Sequence, residues 1–154
     1  KLEAKLAHAM MTIPGSKGFS VGSGFDAALM KGSEHNDCPE VDAQGEGRVV
    51  YSSNHAGGVL AGVSTGDNLY GTVAFKPTSS IAQSQASVDV AGKEAVYARS
   101  KASRHDPCIA VRAVPVVRAM LALVLVDCWL HVRLNRLILK ESSHAEKPVK
   151  LSTS

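Results

Sequence analysis

A lysine and three hydroxyl side chains stand within five consecutive residues of this sequence, from Lys76 to Ser80. Such a set readily surrounds a phosphate, because the lysine supplies a point charge and the hydroxyls donate hydrogen bonds. The same composition is also typical of an ordinary hydroxyl-rich turn, and spacing alone does not separate the two interpretations. The segment is therefore a candidate anion site.

A second candidate is the segment Arg-His-Asp-Pro-Cys at 104–108. Pro107 biases Asp106 away from helical backbone angles, so we expect the carboxylate to project from an extended loop. Arg104, two residues earlier, has the charge to hold an anion. The alternative is a surface loop with a local ion pair, which contributes little to stability.

Two further segments, 32–37 and 54–66, are rich in small and polar residues. Small residues let a backbone approach a ligand closely and expose its N–H groups. The second segment lacks the Gly-Lys-Ser/Thr of a phosphate-binding P-loop and the spaced glycines of a dinucleotide fold. On composition alone, the first is a turn whose side chains bond nearby backbone groups.

Two His-x-x-Cys pairs, His35 with Cys38 and His105 with Cys108, would supply four zinc ligands. Zinc pairs usually read Cys-x-x-Cys, and Pro107 restrains the second pair. We therefore predict that no metal is bound. A small metal-binding or nucleic-acid-binding module stays a third interpretation, based on these pairs and on a basic tail.

The chain that carries these segments has 154 residues, 45% of them hydrophobic, which fits a packed core. Its net charge of +3 does not by itself indicate nucleic acid. Residues 1–92 carry 6 basic and 9 acidic side chains, whereas residues 93–154 carry 11 and 5. This asymmetry predicts either a solvated basic tail or a basic lining for an anionic ligand. Three cysteines and the absence of a signal peptide predict a cytoplasmic location, or a plastid after removal of a transit peptide.

The periodicity predicts an N-terminal helix followed by short strands. Apolar residues from Leu2 to Met10 follow helical spacing without a capping residue before them, which suggests a chain cut from a longer one. Pro14 and Gly15 end this helix. Short strands are predicted around 19–25, 49–51, 69–75, 87–90 and 95–99, with Ala91-Gly92 as a turn.

A second helix is predicted to open at Pro115, because proline suits a first helical position. Residues 116–130 are apolar on nearly every face, but charges near each end favour a buried core helix over a membrane span. After Lys140 the sequence turns polar. The expected organisation is thus one portion of a domain at 1–140 and a flexible tail at 141–154.

Eight motifs, each weak alone, occur here in the order that one family shows. They are Ala-Met-Met-Thr-Ile-Pro at 9–14, Lys-Gly-Phe at 17–19, Gly-Ser-Gly-Phe at 22–25, Gly-Ser-Glu-His-Asn-Asp at 32–37, Ser-Asn-His-Ala-Gly-Gly at 53–58, Phe-Lys-Pro-Thr-Ser-Ser at 75–80, Arg-His-Asp-Pro-Cys at 104–108 and Arg-Ala-Val-Pro-Val-Val at 112–117. Over about residues 1–130 the chain resembles the C-terminal part of chorismate synthase.

The resemblance implies a carbon–oxygen lyase of the shikimate pathway of aromatic amino acid biosynthesis. Its reaction would be a 1,4-elimination of phosphate from 5-enolpyruvylshikimate 3-phosphate to give chorismate, dependent on reduced FMN. The family is also associated with NADP and with homotetramers, and the resemblance implies neither a nucleic acid nor a membrane partner. The implied fold is α+β, part of a β-α-β sandwich in which an antiparallel sheet packs on long apolar helices.

The resemblance also implies site residues. Asp106 falls on the family's active-site aspartate, and the flavin contacts fall on Pro14, Gly15, Ala61, Lys76, Pro77, Thr78, Ser79, Ser80 and Arg104. Ala61 stands where the family usually has Gly, and Arg118 where it usually has Glu. The family's N-terminal part, with two catalytic histidines and several substrate-binding arginines, has no counterpart here. The alternative function is therefore a truncated, non-catalytic fragment that only packs with a partner half.

Overall fold

The computed structural model describes residues 1–42, 49–100, 104 and 106–145, with side chains described up to residue 140. Helices and antiparallel strands both occur, which confirms the α+β class. The helices are α1 (Leu2–Met11), a 3-10 helix (Gly24–Leu29), α2 (Gly32–His35) and α3 (Ala110–Ala145). The strands are β1 (Ser16–Val21), β2 (Pro39–Val41), β3 (Val49–Tyr51), β4 (Val59–Leu60), β5 (Val63–Ser64), β6 (Gly71–Phe75), β7 (Gln85–Val88) and β8 (Glu94–Tyr97).

The strands pair as four antiparallel couples: β1 with β6, β2 with β3, β4 with β5, and β7 with β8. The β1–β6 ladder joins distant parts of the chain, with Phe19 opposite Val73. The predicted first strand was too long, because Phe25 lies in the 3-10 helix with its side chain 90% exposed. Gly22 and Gly24 have positive φ angles of 58° and 52°, which turn the chain out of the ladder.

The core lies around α1, as its periodicity predicts. Leu2 and Leu6 are buried against Val59 of β4, and apolar side chains of β1 and α3 pack on this cluster. Met10, near the other end of the helix, is almost fully buried. α1 therefore lies between the β1–β6 ladder and α3. It positions the turn at Pro14 and Gly15, which follows its C-terminus.

The last helix differs from its prediction in two ways. It begins at Ala110, so Pro115 lies inside it and removes one i→i−4 hydrogen bond. Only 6% of its most apolar window is buried, because α1 and the sheet cover one side only. Ala110–Lys140 has the length and composition to cross a membrane, a property that the core helices of soluble proteins share. The helix continues to Ala145, into the segment predicted as a tail, and residues 146–154 lie outside the described part of the chain.

Candidate active site

Two of the predicted flavin-binding segments meet at one corner of the β1–β6 ladder. The backbone N–H of Lys76 donates to the carbonyl of Gly15 at 2.9 Å. Gly15 has a φ of +84°, and a Cβ atom there would lie 2.5 Å from Cδ1 of Ile109. The positive φ would strain any other residue here, and its Cβ atom would displace the end of the Ile109 side chain, so this position favours glycine.

The Lys-Pro-Thr-Ser-Ser segment also contacts the loop that carries the predicted catalytic carboxylate. The hydroxyl of Thr78 donates to the backbone carbonyl of Asp106 at 2.9 Å. One corner of the fold thus brings together three segments that are far apart in sequence. The first ends at Gly15, the second starts at Lys76 and the third is centred on Asp106.

The donor set at this corner fits a phosphate. Lys76, Pro77 and Ser79 are exposed, and Thr78 and Ser80 are half-buried. An exposed ammonium followed by hydroxyls on a loop offers charge and hydrogen bonds to an anion from one side. The Thr78 hydroxyl already donates to Asp106, so Lys76 and the serine hydroxyls are the groups of this segment that suit a phosphate.

An apolar cleft lies between β6 and the first turns of α3, and Phe75, the residue before Lys76, is part of its wall. Its volume is about 260 Å³, and Val73, Phe75, Val114 and Val117 are among the residues that line it. Apolar walls next to a few polar donors are what a cofactor with an aromatic ring and a phosphate requires.

The ionic partner of Asp106 is Arg112 rather than the nearby Arg104. The Nε atom of Arg112, in the first turn of α3, lies 3.1 Å from Oδ2 of Asp106. Arg104 is exposed. Arg112 is not among the residues that the sequence predicts for the site, because the helix was expected to start at Pro115. A predicted helix start at Ala110 would have placed Arg112 in the first turn, close to Asp106, and so would have indicated their ion pair.

Ala61 lies apart from the other predicted flavin contacts. It occupies the two-residue turn between β4 and β5 with a φ of +51°, followed by Gly62 at +90°. The carbonyl of Gly62 accepts a hydrogen bond from the backbone of Leu2 at 2.9 Å, which fastens this turn to the start of α1. Gly15 follows the other end of α1, and its 10 residues span about 15 Å.

The two segments rich in small and polar residues form a single unit, which the sequence does not predict. Asp37 accepts hydrogen bonds from the Ser53 hydroxyl at 2.7 Å and from the backbone N–H groups of His55 at 2.7 Å and Ala56 at 2.8 Å. Burial opposes ionisation of this carboxyl, but the hydrogen bonds outweigh it and hold the pKa of Asp37 below its usual value. The ionised side chain therefore organises a loop 16 to 19 residues away.

The two His-x-x-Cys pairs that were considered as zinc ligands are only partly described. His35 stacks on His55 with ring centroids 5.4 Å apart, and Cys38 and Cys108 are exposed thiols. Within residues 1–42, 49–100, 104 and 106–145, no three His, Cys, Asp or Glu side chains are grouped for a metal ion. His105 lies outside the described residues, so the absence of a metal stays a prediction.

The order of motifs agrees with a match to a known family. A family model described as chorismate synthase matches residues 1–130. The chain belongs to the chorismate synthase family. It is 52% identical to a chorismate synthase of Protochlamydia amoebophila over 130 residues, which are 84% of this chain and 35% of that protein. It is 54% identical to one of Methylacidiphilum infernorum over 127 residues, 82% of this chain and 33% of that protein.

The chain spans about a third of the length of these curated chorismate synthases. A solved structure titled "Crystal Structure of Chorismate Synthase" is similar with a TM-score of 0.46 at 36% identity, over 49% of this chain and 22% of that one. The chorismate synthase match contains every candidate site residue and ends inside α3. Arg133, Arg136 and Lys140, the basic residues near the end of that helix, lie beyond it.

Proposed function

We propose that this chain forms the side of a chorismate synthase active site that binds the flavin phosphate and carries the acid. The reaction would be the 1,4-elimination of phosphate from 5-enolpyruvylshikimate 3-phosphate. A C–H bond and the C–O bond to phosphate break, a new double bond forms, and there is no net redox change. The observation that carries the proposal is the pair of hydrogen bonds, Lys76 to Gly15 and Thr78 to Asp106, that unite three family motifs.

Each residue of the corner has a role that its chemistry suits. Lys76 and the serine hydroxyls after it bind the phosphate end of FMN, whereas the Thr78 hydroxyl is used to hold the backbone of Asp106. Asp106 holds or moves a proton at N5 of the flavin ring, which is a task for a positioned carboxylate. Arg104 offsets the charge of a substrate with two carboxylates and a phosphate. Reduced FMN, when bound, supplies an electron transiently to the substrate as phosphate leaves.

The chain would supply only part of the site. The matched segment is about a third of the length of its curated relatives. The family resemblance implies that two catalytic histidines belong to the part of those relatives that this chain does not match. We therefore expect no turnover by the chain alone. The proposal also includes assembly as a homotetramer, an association with NADP and a cytoplasmic location.

The test is a hybrid enzyme, in which residues 1–130 of this chain replace the matching segment of the Protochlamydia amoebophila relative. Phosphate release from 5-enolpyruvylshikimate 3-phosphate is measured anaerobically with FMN and dithionite. The hybrid enzyme should turn over, and the isolated chain should not. Turnover by the isolated chain would show that the site is already complete.

The second candidate is a non-catalytic fragment that only packs with a partner half. The exposed apolar side of α3, with Leu123, Val126 and Leu130 at 53–64% exposure, favours it. If this alternative holds, the hybrid enzyme folds and assembles but releases no phosphate, whereas the parent relative does. The same assay therefore separates the two functions.

A further inference from the structure

We propose that Arg112 is a positioning residue that holds the carboxylate of Asp106 in the orientation required for proton handling at the flavin. This inference rests on the proposed function, because it gives Arg112 its role through Asp106. Arg112 is not one of the residues proposed to bind the flavin phosphate. Its effect on turnover can therefore be measured separately from cofactor binding.

Asp106 is held at two points that belong to different elements. Its backbone carbonyl accepts the hydroxyl of Thr78 at 2.9 Å, which ties it to the flavin-binding segment. Its side chain meets Nε of Arg112 at 3.1 Å, which ties it to α3. Because main chain and side chain are fixed separately, loss of the arginine would free the carboxylate to rotate while the loop stays in place.

The backbone that carries Arg112 is anchored to the same corner. Its N–H donates to the carbonyl of Ile109 at 3.1 Å. The side chain of Ile109 in turn fills the space next to the α-carbon of Gly15. Ile109 thus links the backbone of Arg112 to the Gly15 turn, and the ion pair with Asp106 is the contact that holds the exposed side chain of Arg112 at this corner.

Helix stability does not explain an arginine at this position. The first turn of α3 contains no acidic residue, and a cation there opposes the helix dipole. Asp106 is 35% exposed and Arg112 is 80% exposed, so their ion pair contributes little to folding. Arg112 is unfavourable for the helix dipole, and its ion pair adds little to the stability of the fold. Its contact with Asp106 is therefore best explained by an effect on that carboxylate.

The experiment is a double-mutant cycle of Asp106→Asn and Arg112→Gln in the hybrid enzyme, with kcat measured at saturating FMN. Arg112→Gln should lower kcat by about ten- to hundredfold, because misplacement of a reacting group by 1 Å has effects of this size. The FMN dissociation constant should stay within about twofold of its unmodified value. Lys93→Gln, at an exposed cation in the turn between β7 and β8, is the control and should leave kcat unchanged.

The cycle separates positioning from a structural role. If Arg112 acts through Asp106, then Arg112→Gln has no further effect on kcat in the Asp106→Asn background. Additive losses, or an effect on KM or thermal stability alone, would overturn the proposal. An Asp106→Asn enzyme that keeps its kcat would contradict the role of Asp106 as the acid in the proposed function, which is a different outcome.

A second readout needs no turnover and uses the chain as it is. Exchange of the Arg112 Nε proton with water, followed by NMR, should be slowed in the unmodified chain and fast in Asp106→Asn. Fast exchange in the unmodified chain would show that the contact does not persist in solution and would overturn the proposal even if the hybrid enzyme is inactive.

Discussion

The backbone N–H of Lys76 lies within hydrogen-bonding distance, 2.9 Å, of the carbonyl oxygen of Gly15. Lys76 follows β6 directly and Gly15 precedes β1 directly, so this bond continues the ladder between the two strands. The lysine is therefore held by its main chain, and its side chain can be changed without removing what fixes the corner.

Lys76→Ala in the hybrid enzyme should weaken FMN binding without changing the fold. The ammonium contributes a charge-assisted contact worth about 1.5–3 kcal/mol. The FMN dissociation constant, measured by fluorescence quenching, should therefore rise roughly ten- to a hundredfold. Lys17→Ala, at an exposed position of β1, is the control and should bind FMN normally. An unchanged affinity in Lys76→Ala would remove this residue from the flavin site.

Asp106→Asn should lower turnover and leave FMN binding intact. The amide keeps the size of the side chain but cannot exchange a proton as a carboxylate does, so turnover at saturating FMN should fall by about 10²–10⁴-fold. FMN binding should be retained. Asp26→Asn, an exposed aspartate in the 3-10 helix, should keep full activity. If Asp106→Asn lost only FMN affinity and kept its saturated rate, Asp106 would be a binding residue.

Ala61→Gly should stabilise the chain. Ala61 has a φ of +51°, which strains any residue with a Cβ atom and leaves glycine unstrained. The free energy of unfolding, measured with urea, should rise by about 1 kcal/mol. Ala91→Gly is the matched control, because Ala91 also precedes a glycine in a hairpin turn but is not among the residues with positive φ. That change should lower stability by about 0.4–1 kcal/mol.

Asp37→Asn should make the chain less stable at neutral pH and nearly match the unmodified chain at low pH. Hydrogen bonds to an ionised group contribute about 1.5–3 kcal/mol, and the amide cannot accept from Ser53, His55 and Ala56 in the same way. The folded-state pKa of Asp37 is lowered. Its contribution is therefore present above the unfolded pKa of about 3.9 and is lost as pH falls through the lowered value.

Urea unfolding at a series of pH values from about 7 to 3 measures this difference. The gap between Asp37→Asn and the unmodified chain should close on the acidic side. Asp26→Asn should show no comparable gap at any pH, because the Asp26 side chain is exposed. A gap that stays constant down to the lowest pH would mean that the carboxylate does not hold the loop by its charge.

The sequence predicted the parts of this fold that depend on local periodicity. The spacing from Leu2 to Met10 indicated α1 and its buried face, and Ala91-Gly92 indicated the turn between β7 and β8. Lys76 and Asp106 were both predicted as site residues, but the bond between their segments links positions 28 residues apart and leaves no local pattern.

Three errors have physical causes that a sequence pattern does not record. Phe25 left the predicted strand because Gly22 and Gly24 adopt positive φ angles. Pro115 did not start α3, because a helix tolerates the loss of one hydrogen bond when packing fixes its first turn. The apolar residues of α3 predicted burial on every side, but the described chain offers cover on one side only.

β1 and β6 can pair only after the chain between them, residues 22–70, has closed into a loop. The β4–β5 hairpin lies inside that interval, and its two-residue turn forms on a faster timescale than a long-range pairing. In refolding from denaturant, the hairpin should therefore appear first and the Gly15–Lys76 corner later. The proposed flavin-phosphate site would then form late in folding, at a rate limited by loop closure rather than by the chemistry of its residues.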